Sequence, residues 1–267
     1  MEKIMNIDFF LIHNNNIERN SLINPSLKSL AQFIRANGLE VNILEVSQQN
    51  NIASIDEELA YFRRDLLGQI EKEWAIYLGS SVVLNRLQPI NEKDKKNGVI
   101  ELMLTDKHIR AWDRFFDSDA NLCIVFEDDA IIPEENYERF LSIINKALNY
   151  ADKQGLYIDL AGGFPLESLG VNQLFKKDDD GVIHFSKPVT NTTCSYILNK
   201  RIVEKFKELI LLTPILRFIP ADWMLNKLFI ELDRLGSEVN CFHTYPPVFK
   251  HGSFANIWKS RIDSDDL

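Results

Sequence analysis

The chain has no run near the roughly 18–20 apolar residues that a membrane-spanning helix needs. Its longest apolar stretches, such as Phe9-Phe10-Leu11-Ile12, are the size of a strand. Cysteine is scarce: Cys123, Cys194 and Cys241 are widely spaced and odd in number. That argues against a disulfide framework and fits small buried thiols in a reducing compartment. No Cys/His cluster has zinc spacing. Gly38 is the first of 11 glycines, so no Gly-rich phosphate loop follows the opening strand. Repeats and Gly/Ser- or Pro-rich linkers are missing too. The first residues, Met-Glu-Lys-Ile-Met-Asn-Ile-Asp, lack the basic start and long apolar stretch of a secretory signal. The expectation is a cytoplasmic protein. Basic residues are in deficit, 30 against 39 acidic, for a net charge of −9. That sign argues against nucleic acid as the main partner.

What remains is 267 residues, 45% hydrophobic and 26% charged, the composition of an ordinary globular protein. The pattern alternates strands and helices. Ile4 to Ile12 is a β-rich run that ends in His13-Asn14-Asn15-Asn16. Asn24 and Pro25 look like a helix cap and first position, and Gly38 like a helix stop. Val41 to Val46 reads as a strand, and Ser54 with Glu57 as a capping box opening a helix to about residue 71. Residues 85–100 read as a polar loop, and Leu102 to Phe116 as an amphipathic helix. Leu122-Cys123-Ile124-Val125-Phe126 is nearly continuous and apolar, as in a strand buried on both faces. Helices are expected over Tyr137–Leu148, Lys200–Leu211 and Ala221–Leu235. Strands are expected over Leu156–Leu160, Thr193–Leu198 and Val239–His243, with a turn at residues 176–181. This order predicts one α/β domain with a largely parallel sheet.

The sharpest local feature is Glu127-Asp128-Asp129, directly after the buried strand. Three adjacent carboxylates repel one another and are costly in a dry crevice unless a cation neutralises them. Open α/β sheets bind ligands outside the carboxyl ends of their strands. Strand alternation would turn Glu127 and Asp129 one way and Asp128 the other. A pair of hard oxygen ligands suits Mg²⁺ or Mn²⁺. The competing reading is a solvated acidic turn ahead of the helix that follows Pro133.

Residues 105–132 run Thr-Asp-Lys-His-Ile-Arg-Ala-Trp-Asp-Arg-Phe-Phe and then Cys-Ile-Val-Phe-Glu-Asp-Asp-Ala-Ile-Ile, with a short connection between. They resemble glycosyltransferase family 25, which includes lipooligosaccharide galactosyltransferases of Gram-negative bacteria. His108 and Trp112 match its helix, and Glu127 to Asp129 its acidic motif. Tyr157 to Gly162, Thr193 to Asn199, Pro220 to Leu225, and Tyr245-Pro246-Pro247 with Ser253 resemble further segments in the same order. The sequence departs from the pattern at Lys107, where a Ser is usual, in the wider spacing of Leu11 and Arg19, and at Lys250, where a Gln is common.

The resemblance implies a GT-A, Rossmann-like fold with a mixed, mostly parallel sheet flanked by helices. Residues 1–130 or so would bind the nucleotide and about 131–267 the acceptor. It implies a UDP-sugar donor, a divalent metal (Mn²⁺ or Mg²⁺) on the diphosphate, and inversion at the anomeric carbon. The acceptor would be a lipooligosaccharide or other oligosaccharide or glycolipid. Asp129 is then the direct metal ligand, with Glu127 a second ligand or a ribose or water contact, and Asp128 supports them. Asp222 is the expected general base; complementing a helix dipole is its other reading. Asp159 is the alternative base, or a strand-end turn acid. His108 is a packed histidine or a donor contact, and His251 a metal ligand or a loop histidine. His13, Asn14 and Arg19 are expected near base and ribose, and Lys250 near diphosphate. The basic residues of helix 200–211 form a solvated face or a contact with anionic lipid at the inner membrane. Two other functions share these features: a metal-dependent nucleotidyl or phosphoryl transferase, and an inactive sugar-nucleotide-binding module.

Overall fold

The computed structural model describes residues 5–47, 54–79, 90–151, 153–163, 166, 176–255 and 257. The opening strand β1 (Asn6–Ile12) leads to α1 (Ile17–Ala36) and β2 (Glu40–Val46). Two long helices follow, α2 (Glu57–Leu78) and α3 (Glu92–Asp117). Then come β3 (Leu122–Glu127), the short β4 (Ala130–Ile131), α4 (Tyr137–Leu148) and β5 (Gly155–Asp159). The hairpin β6 (Lys176–Lys177) and β7 (Val182–Phe185) precedes β8 (Ser195–Asn199). The chain closes with α5 (Lys200–Leu212), α6 (Ala221–Arg234), β9 (Val239–Thr244) and β10 (Lys250–His251).

Eight strands form one sheet in the order β2-β1-β3-β8-β5-β9-β7-β6, and β4 pairs with β10 in a separate ribbon. Strand alternation divides the apolar side chains between two faces. Ile7, Phe9, Leu11, Leu122, Ile124 and Phe126 pack under α1 and α4. Phe10, Ile12, Cys123 and Val125 pack under α3, α5 and α6, with α2 outside them. Every residue from Leu122 to Phe126 is fully buried, which explains the unbroken apolar run of β3. Among the described residues no helix is long and apolar enough to cross a membrane.

The mixed α/β architecture matches the expectation; the mostly parallel pairing does not. β1 is parallel to β2 and β3, and β5 to β9. β8 runs antiparallel to both β3 and β5, and β7 antiparallel to β6 and β9. A strand buried on both faces reads the same in either direction, so its apolar run carries no sign of the reversal.

Three helix starts also differ. Helix α1 begins a whole segment earlier than Asn24-Pro25. Asn16 caps it by accepting Arg19 N–H at 3.0 Å, and Pro25 lies inside the helix. Ile23 and Leu27 flank that proline and are buried, so packing outweighs the lost backbone bond. The cap of α2 is Asp56, which accepts Leu59 N–H at 2.7 Å, and the helix runs on to Leu78. Residues 92–100 belong to α3, opened by a reciprocal capping box between Asn91 and Asp94. The start of that expected polar loop, residues 85–89, lies outside the described residues.

Candidate active site

The parallel strands β1 and β3 end side by side, Ile12 opposite Glu127. After Glu127 the chain leaves the strand and turns, so the three acids take three directions. Asp128 turns to α1, where Arg19 Nη1 donates to its Oδ1 at 2.8 Å and Asn14 N–H to its Oδ2 at 3.2 Å. Both members of that ion pair are buried. Asp128 therefore ties the start of α1 to the end of β3.

Glu127 faces α3, with its Oε1 3.2 Å from His108 Nε2. His108 is fully buried, and its Nδ1 lies 2.6 Å from Tyr196 Oη. That hydroxyl accepts Trp112 Nε1–H at 3.0 Å, which leaves its own proton for His108 Nδ1. The network thus assigns the His108 proton to Nε2, where it is donated to Glu127. Burial pushes the Glu127 carboxyl up, but the His108 and Thr193 hydrogen bonds and the His251 charge outweigh it, so the net shift is downward.

Asp129 is 5% exposed and faces the C-terminal ribbon. Its Oδ2 accepts from Ser253 Oγ at 2.7 Å and lies 3.4 Å from His251 Nδ1; its Oδ1 is 3.6 Å from Cys194 Sγ. The ribbon makes this meeting, because His251 pairs with Ala130 and Asp129 O accepts Gly252 N–H at 2.9 Å. Burial first, and the charge of Glu127 second, raise the Asp129 carboxyl. His251 Nδ1 is buried and makes no hydrogen bond to a described residue.

This donor set fits a cation. Asp129, Cys194 and His251 each aim one ligand atom into a space where all three lie within 4.8 Å of one another. Glu127 is not among those three; the strand ends there and its Oε1 turns to His108. Cys194 is the residue that sequence reasoning missed. It enters because β8 runs antiparallel to β3, and Cys194 O accepts Glu127 N–H at 2.8 Å. Its place among the small residues before a Tyr strand is a signal only when that direction is known.

Asp222 sits in the first turn of α6 and accepts the Trp223 N–H at 2.8 Å. Its carboxyl is pushed up to about 6, first by burial and further by the charges of Glu101 and Glu127, with the Trp223 N–H opposing. Asp222 and Glu127 therefore share one electrostatic neighbourhood. Asp159 differs. It is 2% exposed, and its oxygens accept Gly162 N–H at 2.7 Å, Asn191 N–H at 3.3 Å and Tyr157 Oη–H at 3.3 Å. Gly162, at φ +55°, lets the chain curl back onto it.

His13, Asn14 and Arg19 gather at the end of β1 with their polar groups turned into the protein. His13 Nδ1 accepts Asn15 N–H at 3.2 Å, and its Nε2 is 3.6 Å from Glu45. Lys107, 1% exposed, donates to His13 O at 3.0 Å and to Asn14 Oδ1. The lysine that replaces the usual Ser thus props the loop from beneath. Lys250 is exposed on β10, next to His251. On α5, Lys200 donates to Ser118 O, Lys205 to Ser237 at 3.3 Å, and Lys207 pairs with Asp113 at 2.9 Å. These three lysines are engaged with the protein's own groups, and Arg201 is exposed.

Residues 106–225 match the model of glycosyltransferase family 25, described as an LPS biosynthesis protein. The match bears out the resemblance and implies a glycosyltransferase with a sugar donor and a glycan acceptor. It contains His108, the three strand-end acids, Cys194 and Asp222, and stops short of His251. No curated protein matches the chain.

Proposed function

We propose, with the family match over residues 106–225 as premise, that this chain is a metal-dependent inverting glycosyltransferase. It moves a hexose, galactose in the leading case, from a UDP-sugar to a lipooligosaccharide or other surface glycan at the cytoplasmic side of the inner membrane. One observation carries the reading. Just past the end of β3, Asp129 Oδ2 and His251 Nδ1 lie 3.4 Å apart, and Glu127 is aimed by His108 at 3.2 Å. A carboxylate and an imidazole held together where a sheet strand ends suit a cation beneath a diphosphate.

Asp222 takes the proton of the acceptor hydroxyl as that oxygen attacks the anomeric carbon from the face opposite the diphosphate. The bond from that carbon to the diphosphate oxygen breaks, and the configuration inverts. A base whose proton affinity lies near neutrality is suited to the step. Asp129 and His251 hold the divalent cation, which when bound offsets charge on the departing diphosphate. Glu127, kept ionised and aimed by His108, receives a hydrogen bond from ribose or water. The loop His13–Asn14, braced by Lys107 and by the Arg19–Asp128 pair, walls the nucleotide end. Lys250 lies free to meet diphosphate. Asp159 buttresses the segment that carries Cys194 rather than serving as base.

The test is thermal stability with UDP-sugars, with and without Mn²⁺. A ligand that binds only the folded state raises the melting temperature by mass action. A metal-dependent rise with UDP-galactose supports the reading; no rise with any UDP-sugar, with or without metal, overturns it.

A further inference from the structure

We propose that Cys194 is the third protein ligand of the cation site, making it a site for a thiolate-accepting ion of the Zn²⁺ or Co²⁺ kind rather than one for Mn²⁺ or Mg²⁺. The inference rests on the reading of Asp129 and His251 as cation ligands and goes beyond it in naming the third donor and the class of ion.

The argument is geometric. A tetrahedral zinc ion with a Zn–S bond of about 2.3 Å and Zn–N or Zn–O bonds of about 2.0–2.1 Å sets its sulfur and oxygen ligands about 3.6 Å apart. On the same bond lengths its nitrogen and oxygen ligands are about 3.3 Å apart. Cys194 Sγ is 3.6 Å from Asp129 Oδ1 and His251 Nδ1 is 3.4 Å from the other carboxylate oxygen, Oδ2, each a spacing of ligand-to-ligand size, and one atom from each of the three residues lies within 4.8 Å of the others. The three donors come from unconnected parts of the fold: the turn after β3, the entry to β8 and the β4–β10 ribbon. A second acid, Glu127, is close by but turned to His108.

A second observation points the same way. His251 Nδ1 is buried without a hydrogen bond to a described residue. A buried ring nitrogen that makes no hydrogen bond costs free energy, which a metal ion between it and the Asp129 carboxylate would recover. The donor set itself selects the ion. Thiolate and imidazole suit Zn²⁺ and its relatives, whereas Mg²⁺ and Mn²⁺ prefer carboxylate, carbonyl and water. Three protein ligands leave a fourth position open for a diphosphate oxygen, the pattern of catalytic rather than structural zinc sites. On binding, the Cys194 S–H bond breaks, its proton passes to the buffer, and a sulfur–metal bond forms.

The experiment uses the full chain, stripped with a chelator and titrated with Co²⁺ alone. The expected result is a near-ultraviolet sulfur-to-cobalt charge-transfer band that saturates at one ion per chain. The band is lost in Cys194→Ser and kept in Cys123→Ser. Zn²⁺ affinity, measured by competition with a chromophoric chelator, falls by about tenfold or more in Cys194→Ser. If Cys194→Ser fails to fold, Cys194→Ala takes its place: loss of the band in that variant supports the thiolate ligand, and an unchanged band overturns it. Co²⁺ binding with no charge-transfer band, together with a metal-dependent UDP-sugar shift, overturns the thiolate ligand and leaves the transferase reading standing. No binding of Co²⁺, Zn²⁺ or Mn²⁺ overturns both this inference and the metal dependence.

Discussion

Strands β3 and β5 both run fully buried into a carboxylate, yet the two ends have opposite fates. At the end of β5 the chain curls back, and the backbone N–H groups of Gly162 and Asn191 point at Asp159. Its charge is absorbed by the fold. At the end of β3 only Asp128 is absorbed in this way, by Arg19 and Asn14 N–H. Glu127 instead faces a histidine, and Asp129 a thiol, a histidine and a serine, with the Glu127 charge acting on Asp129. An acid at a strand end stays available for chemistry where the backbone does not satisfy it. Asp222 belongs with the second kind, since its carboxylate accepts the Trp223 N–H of its own helix and is nevertheless raised by burial.

Substitution sharpens this contrast, beginning with the largest effect. Asp222→Asn lowers kcat by about 10²–10⁴-fold and leaves the UDP-sugar thermal shift in place. The folded carboxyl titrates at about 6, above its unfolded value of about 3.9. The folded state therefore binds the proton more tightly, and stability falls as pH rises from the lower value through the higher. At pH 8 the neutral Asn removes that cost, so the melting temperature rises by a few degrees. In wild type the same group gives kcat/KM an acid limb, falling about tenfold per pH unit below its pKa. Loss of both activity and stability in this variant would return Asp222 to the structural class.

Asp129→Ala abolishes the metal-dependent part of the thermal shift, about 2.7 kcal/mol at a ligand concentration 100 times Kd. Activity falls by about 10²–10³-fold. An unchanged shift would move the cation elsewhere. Asp159→Ala inverts the pattern. It strands buried N–H groups and costs about 2–5 kcal/mol in urea unfolding, while kcat per folded molecule stays within about tenfold. A collapse of kcat with intact stability would erase the distinction between the two strand ends. Lys250→Ala has the smallest effect, because its side chain is exposed. Stability changes by less than about 0.5 kcal/mol, and KM for the donor rises a few-fold with kcat nearly unchanged.

Much of the framework was legible in the residues. The unbroken apolar run of β3 implied burial on both faces, which is what the two helix layers supply. The helices after Pro133, Asn199 and Pro220 start at the expected positions, Tyr137, Lys200 and Ala221; Asn199 caps its helix by accepting Ile202 N–H, and Pro220 directly precedes the third. The start of α1 was not legible, because a good local signal, Asn24-Pro25, competes with Asn16 and loses to the burial of Ile23 and Leu27. The reversal of β8 was hidden for a different reason, since apolar content carries no direction. Cys194 was hidden along with it.

The sequence by itself determined which residue types stand at each strand end, and hence that carboxylates crowd beside a buried apolar strand. Only the tertiary structure decided which of them are satisfied by the backbone and which are left to meet Cys194 and His251. Those partners lie 65 and 122 residues away from Asp129 along the chain. The physical reason is that a carboxylate's proton affinity and ligand set depend on what surrounds it within a few ångströms, and folding chooses those neighbours.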